Sequence, residues 1–307
     1  MPIVAPKRLV YSRLHPIKAE SGEADIISDP GFRGTEGVAQ HYDQLDSFYR
    51  DLWGEHVHHG FWERGDEKTA EAVAHLSHYM AGLTKLKAGD RVCDVGCGYG
   101  GTARLLADSY GATVRGYTLS QEQAAYSALR PHEQVEILCR DFFAHKEREA
   151  SFDVLLSIEC IEHMADKGAF FREAWRLLVP GGKMALAVWS EAAQASDWSK
   201  KHLLLPICRE GRMPDLLSGG EWRQLIEQAG FQITHQSEHA RQVKKTWAIC
   251  AGRLARKLVV DPTYRSFILL APSSEKIFAL TLLRLWLAFE NGAMKYWIFL
   301  AEKPLAA

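Results

Sequence analysis

Short apolar runs alternate with amphipathic segments between about residue 88 and residue 190. Such alternation is typical of βαβ units, in which helices cover both faces of a parallel sheet. The predicted strands are rich in Val, Ile, Leu and Cys, as buried parallel strands are. They are Arg91 to Val95, Thr113 to Thr118, Val135 to Cys139, Val154 to Ile158 and Lys183 to Trp189. The pattern therefore predicts an α/β fold whose core spans residues 88–190.

The residues before this core divide into a tail and a cap. Residues 1–34 begin with a locally basic stretch and contain no apolar run of signal-peptide length, which favours a mobile N-terminal extension. Within residues 35–85, Thr35 to Trp53 and Lys68 to Leu83 carry apolar residues at helical spacing. We expect these segments to form a helical cap, and residues 35–307 to form a single domain.

The residues after the core predict a lid and a closing strand. Gly219 to Ala229 has the pattern of a helix, and Phe231 to His235 has that of a strand. The run Met294 to Ala301 predicts a last strand at the sheet edge, within residues 294–303. Residues 191–294 then form a mostly helical substrate lid, since an insertion of this length is unusual unless it covers a site.

One stripe in the lid combines large apolar side chains at helical spacing. Its members are Ile277, Leu280, Leu283, Trp286, Leu287 and Phe289. Such a stripe usually faces a core, and within a lid it predicts one wall of an apolar acceptor pocket. The apolar run around it is shorter than a bilayer span and carries Arg284, so we expect no stable membrane insertion.

Charge and cysteine usage narrow the class of partner. Lys and Arg number 37 against 38 Asp and Glu, and the formal net charge of -1 provides no global field for a polyanion. We therefore expect no nucleic-acid partner. None of the six cysteines has the spacing of a zinc knuckle or a redox motif, and most lie in apolar stretches. These features favour a cytoplasmic protein, and a homodimer is left open.

The first predicted strand runs into a glycine-rich turn that opens a helix, Gly96-Cys97-Gly98-Tyr99-Gly100-Gly101. Glycines let the backbone turn sharply and approach a ligand closely. The spacing of Gly96, Gly98 and Gly101 also fits the dinucleotide fingerprint. The turn alone therefore leaves two ligands open, a nicotinamide dinucleotide and a nucleoside sulfonium.

Two further features favour the sulfonium. The next strand ends in Gly116-Tyr117-Thr118-Leu119-Ser120, without the acidic residue that a dinucleotide domain places on its ribose. Asp94 precedes the first glycine of the turn by two residues. A carboxylate there attracts a cationic methionine amine or orders the turn, whereas it repels a pyrophosphate.

Asp94 to Gly100 resembles motif I of the class I S-adenosylmethionine-dependent methyltransferases, and Leu177 to Gly182 resembles their turn before the fifth strand. Gly116 to Ser120 with Gln123 is similar to a stretch of the sterol, cyclopropane-fatty-acid and tocopherol methyltransferase group. The resemblance implies a Rossmann-like seven-stranded sheet with helices on both faces. It also implies S-adenosylmethionine as cofactor and S-adenosylhomocysteine as product.

The same resemblance implies a set of cofactor contacts. The stretch around Thr118 would lie along the ribose and methionine, Asp141 near the adenine amine, Phe142 beside the ring, and Tyr42 over the carboxylate. The full set is Tyr42, Asp94, Gly96, Cys97, Gly98, Thr118, Leu119, Ser120, Gln123, Asp141, Phe142 and Ser157.

Two other stretches, Trp53 to Trp62 and Glu162 to Lys167, resemble γ-tocopherol methyltransferases and their plant alkaloid N-methyltransferase relatives. Cys160, Ile161 and Ala165 depart from the pattern of that group. These departures bear on the acceptor rather than on the cofactor. The resemblance implies a small lipophilic acceptor, which is a phenol-like ring carbon, an isoprenoid or an apolar amine.

Glu162 and His163 follow a predicted strand, at the edge where ligands bind in open α/β sheets. A carboxylate with a raised pKa, or a histidine that titrates near neutrality, can remove the acceptor's proton. Helix capping or a salt bridge is the alternative role for this pair. His59 is a third catalytic candidate, with loop packing as its alternative. No carboxylate or thiol spacing completes a metal site with His56 and His58, so none is expected.

The predicted reaction is methyl transfer by in-line displacement, which depends on near-attack geometry in a pocket from which water is excluded. Two alternatives stay open at this point. One is a nicotinamide-dependent oxidoreductase, which the glycine spacing alone supports. The other is a non-catalytic module that keeps the cofactor site.

Overall fold

The computed structural model of the chain describes residues 27–262, 264–266 and 273–305. The strands are β1 (Ile27–Ser28), β2 (Arg91–Val95), β3 (Thr113–Thr118), β4 (Val135–Cys139), β5 (Phe152–Ile158), β6 (Leu178–Glu191), β7 (Asp215–Leu216), β8 (Gln232–Glu238) and β9 (Met294–Glu302). The helices are α1 (Gly34–Gln44), α2 (Asp46–Leu52), α3 (Thr69–Thr84), α4 (Gly101–Tyr110), α5 (Gln121–Ala128), α6 (Lys167–Leu177), α7 (Asp197–Ser199), α8 (Leu205–Glu210), α9 (Gly219–Gln228), α10 (Ala240–Val243), α11 (Lys245–Val260) and α12 (Ser273–Glu290).

A seven-stranded sheet in the order β4-β3-β2-β5-β6-β9-β8 forms the centre of the domain. The first five strands in this order, β4, β3, β2, β5 and β6, run parallel to one another, and β9 runs antiparallel to both of its neighbours. The predicted α/β fold and its five core strands are therefore confirmed. The predicted position of the last strand at the edge is wrong, because β9 lies between β6 and β8. The buried run Ile298 to Ala301 suits an internal strand, and β8 forms the edge.

Helices cover both faces of the sheet through two apolar clusters. One cluster joins β2, β5 and β6 to α3, α4 and the lid helices. The other joins the opposite face to α6 and α9, where Phe170, Phe171 and Trp222 are fully buried. Burial on both faces explains why the core strands read as continuous apolar runs. The carboxyl ends of the parallel strands thus form an edge at which ligands bind.

The helical cap forms as α1, α2 and α3, with a break between α1 and α2 at Leu45 inside the predicted first segment. The predicted helix from Gly219 is confirmed as α9. Residues 1–26 of the predicted N-terminal extension lie outside the described residues. The last part of that extension contains β1, which pairs with β7, so the boundary at residue 34 stays a prediction.

The predicted lid, residues 191–294, contains the helices α7 to α12 together with β7 and β8, and α12 packs against α8 and α11. The predicted apolar stripe on α12 is wrong for four of its members. Leu280, Leu283, Trp286 and Leu287 are exposed, whereas Phe289 is buried. The packing instead buries Thr281, Leu282 and Leu285, which lie on the opposite side of the helix. The side chain of Ile277 lies outside the described part of the chain.

None of the described helices combines the length and the apolar character needed to cross a bilayer. The cytoplasmic location and the homodimer stay predictions.

Candidate active site

The glycine turn leaves β2 at the carboxyl edge of the sheet. Gly96, Gly98 and Gly100 have φ angles of 82°, 55° and 77°, which are in the left-handed region that favours glycine. The backbone N–H groups of Gly96 and Cys97 both donate to the Tyr117 carbonyl, at 2.9 and 3.0 Å. A Cβ atom on Gly96 would lie 2.3 Å from Cys160 Sγ. The turn thus approaches two neighbouring strand ends closely, and α4 begins directly after it.

A cavity of about 280 Å³ lies against this turn. Nine of the residues that the resemblance implies border it: Tyr42, Gly96, Gly98, Thr118, Leu119, Ser120, Gln123, Asp141 and Phe142. We call it the cofactor cavity. Most of these nine residues come from the ends of three adjacent strands and from α1, as expected for a ligand that spans the edge of a parallel sheet.

The polar side chains after β3 satisfy one another. Thr118 Oγ1 donates to Gln123 Oε1 at 2.6 Å, and Ser120 Oγ accepts from the Gln123 backbone N–H at 3.1 Å. Ser120 Oγ also donates to Asp43 Oδ1 on α1 at 2.5 Å. These bonds fix the loop shape and tie the cap to the sheet edge. They fit a ligand that is bound by the shape of the loop.

The next strand ends in Asp141 and Phe142. Asp141 Oδ1 accepts from the Phe143 N–H at 2.9 Å and so caps the short turn that follows. Phe142 is buried and packs edge-on against Tyr117, with ring centroids 6.0 Å apart. The arrangement provides an aromatic floor beside an acidic cap, which fits an adenine ring with its exocyclic amine.

Asp94, Cys97 and Ser157 lie behind the residues that line the cofactor cavity. Asp94 is 3% exposed, and its Oδ2 has no hydrogen-bond partner among the described residues. Burial raises the pKa of Asp94 to about 7. Ser157 Oγ donates to the Val95 carbonyl at 3.0 Å, which links β5 to β2. A buried carboxylate without a partner, next to this turn, fits a ligand that brings a positive charge.

A second cavity of about 80 Å³ adjoins the first, and we call it the acceptor cavity. Aromatic rings from the cap, β6 and α11 dominate its walls, together with apolar residues of α8 and α12. The aromatic members are His41, Tyr42, Tyr49, Trp53, His163, Trp189 and Trp247. Four residues, Tyr42, Val57, Glu159 and His163, border both cavities. The two cavities thus meet at a single layer of side chains.

Tyr42 and His163 form a bridge within this layer. The Tyr42 hydroxyl lies 3.1 Å from His163 Nε2, and His163 Nδ1 lies 3.2 Å from the Arg212 carbonyl oxygen. Because a carbonyl only accepts, Nδ1 carries the hydrogen and Nε2 accepts from Tyr42. Burial lowers the pKa of His163 to about 4, so the ring is neutral at physiological pH.

Glu162 borders the acceptor cavity and is 3% exposed. Its Oε1 accepts from the Trp189 backbone N–H at 2.6 Å, whereas its Oε2 has no hydrogen-bond partner among the described residues. Burial raises the pKa of Glu162 to about 8. A carboxyl group with such a pKa exchanges a proton near physiological pH, which is the property required of an acid–base catalyst.

His59 borders neither cavity. Four rings surround it, and its Nδ1 lies 2.8 Å from Glu159 Oε1. Glu159, and not the predicted His59, therefore borders both cavities. We did not predict Glu159, although its position directly after the apolar strand β5 was a usable signal.

The other histidines of the loop pack against the start of α4. His58 Nδ1 lies 2.8 Å from the His59 carbonyl oxygen, and His58 Nε2 lies 3.3 Å from Thr102 Oγ1. His56 stacks edge-on against His58, and burial lowers the pKa of both rings. Within the described ranges, no group of three His, Cys, Asp or Glu side chains is placed to hold a metal ion.

Comparison with known proteins agrees with this architecture. A family model described as mycolic acid cyclopropane synthetase matches residues 32–279. The chloroplastic tocopherol O-methyltransferase of Arabidopsis thaliana is 27% identical over 295 residues, which cover 88% of this chain and 82% of that protein. The 2-methyl-6-phytyl-1,4-hydroquinone methyltransferase of Synechocystis sp. is 35% identical over 177 residues, which cover 54% of this chain and 55% of that protein.

A solved structure shares the fold. The mycolic acid cyclopropane synthase CmaA1, complexed with SAH and CTAB, has a TM-score of 0.79 at 22% sequence identity, and the match covers 90% of this chain and 100% of that chain. None of these findings supports a nicotinamide-dependent oxidoreductase. Because the family model matches most of the chain, the protein belongs to the mycolic acid cyclopropane synthetase family of S-adenosylmethionine-dependent methyltransferases.

Proposed function

We propose that the protein transfers the methyl group of S-adenosylmethionine to a small lipophilic acceptor in the acceptor cavity. The observation that carries this proposal is the layer shared by the two cavities, formed by Tyr42, Val57, Glu159 and His163. In-line displacement requires the nucleophile and the methyl carbon to meet in near-attack geometry, and two cavities that share four bordering residues would bring the reactants to the same place. When bound, the cofactor supplies an electrophilic methyl group on sulfur.

The walls of the acceptor cavity support a lipophilic acceptor. Trp53, Trp189 and Trp247 face it together with Leu282 and Leu285 of α12. Aromatic and aliphatic walls exclude water, which would otherwise compete as a nucleophile. The two curated relatives are named for tocopherol and for a phytyl hydroquinone, which are also lipophilic molecules. A phenol-like ring carbon, an isoprenoid and an apolar amine all fit these walls.

Two groups of residues would hold the cofactor. The residues of the first group line the cofactor cavity and would touch the cofactor: Tyr42, Gly96, Gly98, Thr118, Leu119, Ser120, Gln123, Asp141 and Phe142. The second, made of Asp94, Cys97 and Ser157, fixes the turn from behind. The charge of Asp94 would also stabilise the cationic methionine amine of a bound cofactor.

Glu162 is the candidate base that takes a proton from the acceptor, since its free Oε2 belongs to a residue that borders the acceptor cavity. His163 acts as a positioning residue because its Nε2 holds the Tyr42 hydroxyl. His59 acts in the same way through its contact with Glu159.

Transfer of isotopically labelled methyl from S-adenosylmethionine tests this proposal. The purified chain is incubated with tocopherol-like phenols, isoprenoids and apolar amines, and the organic extract is analysed by mass spectrometry. We expect label in one of these classes, and none with a Gly96→Ala variant, whose cofactor turn is blocked. Confirmed binding of S-adenosylmethionine without label in any class would contradict the proposal and favour a non-catalytic module.

A further inference from the structure

We propose that Glu159 determines acceptor specificity by binding a hydroxyl or amine hydrogen at the reacting end of the acceptor, so that acceptors without such a hydrogen bind poorly. The inference rests on the proposed transfer to a lipophilic acceptor and narrows its class. Glu159 follows β5 directly and borders both cavities. It is therefore placed beside the point where acceptor and methyl group meet.

The first oxygen of this carboxylate is fully used in holding the side chain. Glu159 Oε1 accepts from the Tyr296 hydroxyl at 2.7 Å and from the His59 backbone N–H at 2.9 Å. His59 Nδ1 is a third neighbour of Oε1, at 2.8 Å. The backbone of Glu159 has a φ of 54°, which is rare for a residue with a side chain. The contacts with Tyr296 and His59 thus hold the carboxylate in one position, although the backbone of Glu159 is strained.

The second oxygen is left for a ligand. The contacts of the Glu159 carboxylate with hydrogen-bonding groups of the described residues all involve Oε1. The side chain is 8% exposed, and since the residue borders both cavities, the exposed part faces them. An acceptor that enters the acceptor cavity therefore covers a carboxylate oxygen.

Glu159 differs from Glu162 in its charge. Burial alone would raise the pKa of Glu159, but the neighbouring His59 ring and the hydrogen bond from the His59 backbone N–H lower that pKa to about 2. Glu159 is thus ionised at physiological pH. A hydrocarbon end that covers Oε2 leaves this oxygen of an ionised carboxylate without a donor, which is unfavourable. A hydroxyl or amine supplies the donor, so the structure favours phenols and amines over isoprenoid alkenes.

Titration calorimetry of the full chain loaded with S-adenosylhomocysteine tests the proposal by binding alone. The probes are 4-butylphenol, 4-butylaniline and butylbenzene, which share one apolar body. We expect the phenol and the aniline to bind at least about tenfold more tightly than butylbenzene, or ~1.4 kcal/mol. Glu159→Gln preserves the side-chain volume and removes the charge, so we expect it to abolish most of this preference.

Glu191→Gln is the matched control. Glu191 is also a buried glutamate whose Oε2 has no partner among the described residues, but it borders neither cavity. We expect this variant to keep the wild-type preference. An equal loss of preference in both variants would overturn the proposal.

A probe series on the wild type keeps the test decisive if Glu159→Gln does not fold. 4-Butylanisole replaces the phenolic hydrogen with a methyl group, and we expect it to bind as weakly as butylbenzene. Binding of either probe as tightly as 4-butylphenol would rule out the role of Glu159. These measurements involve no turnover, so a preference for phenol without any methyl transfer would count against the proposed function and leave the role of Glu159 intact.

Discussion

The cofactor cavity and the acceptor cavity share one wall but differ in how the polar groups around them are hydrogen-bonded. Around the cofactor cavity, Thr118, Ser120 and Gln123 satisfy one another, and the unpaired Asp94 Oδ2 lies behind the residues that line it. Around the acceptor cavity, Glu162 Oε2 and Trp189 Nε1 have no hydrogen-bond partner within the described ranges. Buried polar groups are normally paired, so unpaired ones point to a ligand or to chemistry. We therefore predict that the cofactor cavity recognises its ligand mainly by shape and that proton chemistry takes place in the acceptor cavity.

The largest effect is expected where the cofactor cavity depends on shape. In Gly96→Ala the new Cβ meets Cys160 Sγ at 2.3 Å, and the φ of 82° disfavours any side chain. We expect binding of S-adenosylhomocysteine, measured by calorimetry, to weaken by about 100-fold or more, equivalent to ~2.7 kcal/mol.

Gly82→Ala is the control for this substitution. Gly82 lies in α3, and a Cβ there would meet nothing within 4 Å. We expect unchanged cofactor binding and slightly higher stability, because alanine favours a helix. Wild-type affinity in Gly96→Ala would show that the turn adapts, and the contrast between the cavities would fail.

The second effect belongs to the acceptor cavity and depends on pH. A base acts in its ionised form, and burial raises the pKa of Glu162 to about 8, so the wild-type rate should rise between pH 7 and 9 and then level off. Glu162→Gln should lower kcat about 100-fold and remove this rise. His163, with a pKa lowered to about 4, adds no further change above pH 6.

The control for this experiment is Glu191→Gln. Burial raises the pKa of Glu191 to about 7, but the side chain borders neither cavity, so rate and pH profile should match the wild type. A pH profile for Glu162→Gln that keeps the wild-type rise would assign the base to another group.

The smallest effect concerns the bridge between the cavities. Tyr42→Phe removes the hydroxyl that lies 3.1 Å from His163 Nε2 but keeps the ring. A neutral hydrogen bond contributes about 0.5–1.5 kcal/mol, so we expect cofactor affinity and methyl transfer to fall by about three- to tenfold. Tyr110→Phe removes a comparable contact with His78 on α3, away from both cavities, and should change neither. A loss much larger than tenfold would mean that Tyr42 contacts the reacting groups directly.

The cofactor side was predictable because it consists of short, contiguous segments. Each segment is a strand followed by a turn, as in Val95 to Gly98 or Tyr117 to Gln123. The alternation that reveals a parallel strand also reveals where that strand ends, and parallel strands end at the same edge. The position of β9 was mistaken because an internal antiparallel strand has the same apolar pattern as one at the edge.

The sequence alone determined the α/β core, the glycine turn and the family resemblance, since these depend on local periodicity and on residue types at fixed spacing. The tertiary structure decided which groups of the acceptor cavity face each other. That cavity joins segments from Tyr42 to Leu285 that are far apart along the chain. Packing buried the face of α12 that carries Thr281 and Leu285. It also brought Glu159 Oε1 to 2.8 Å from His59 Nδ1. Burial and hydrogen bonding depend on neighbours brought together by folding, and these set the charge of Glu159 and the pKa of Glu162.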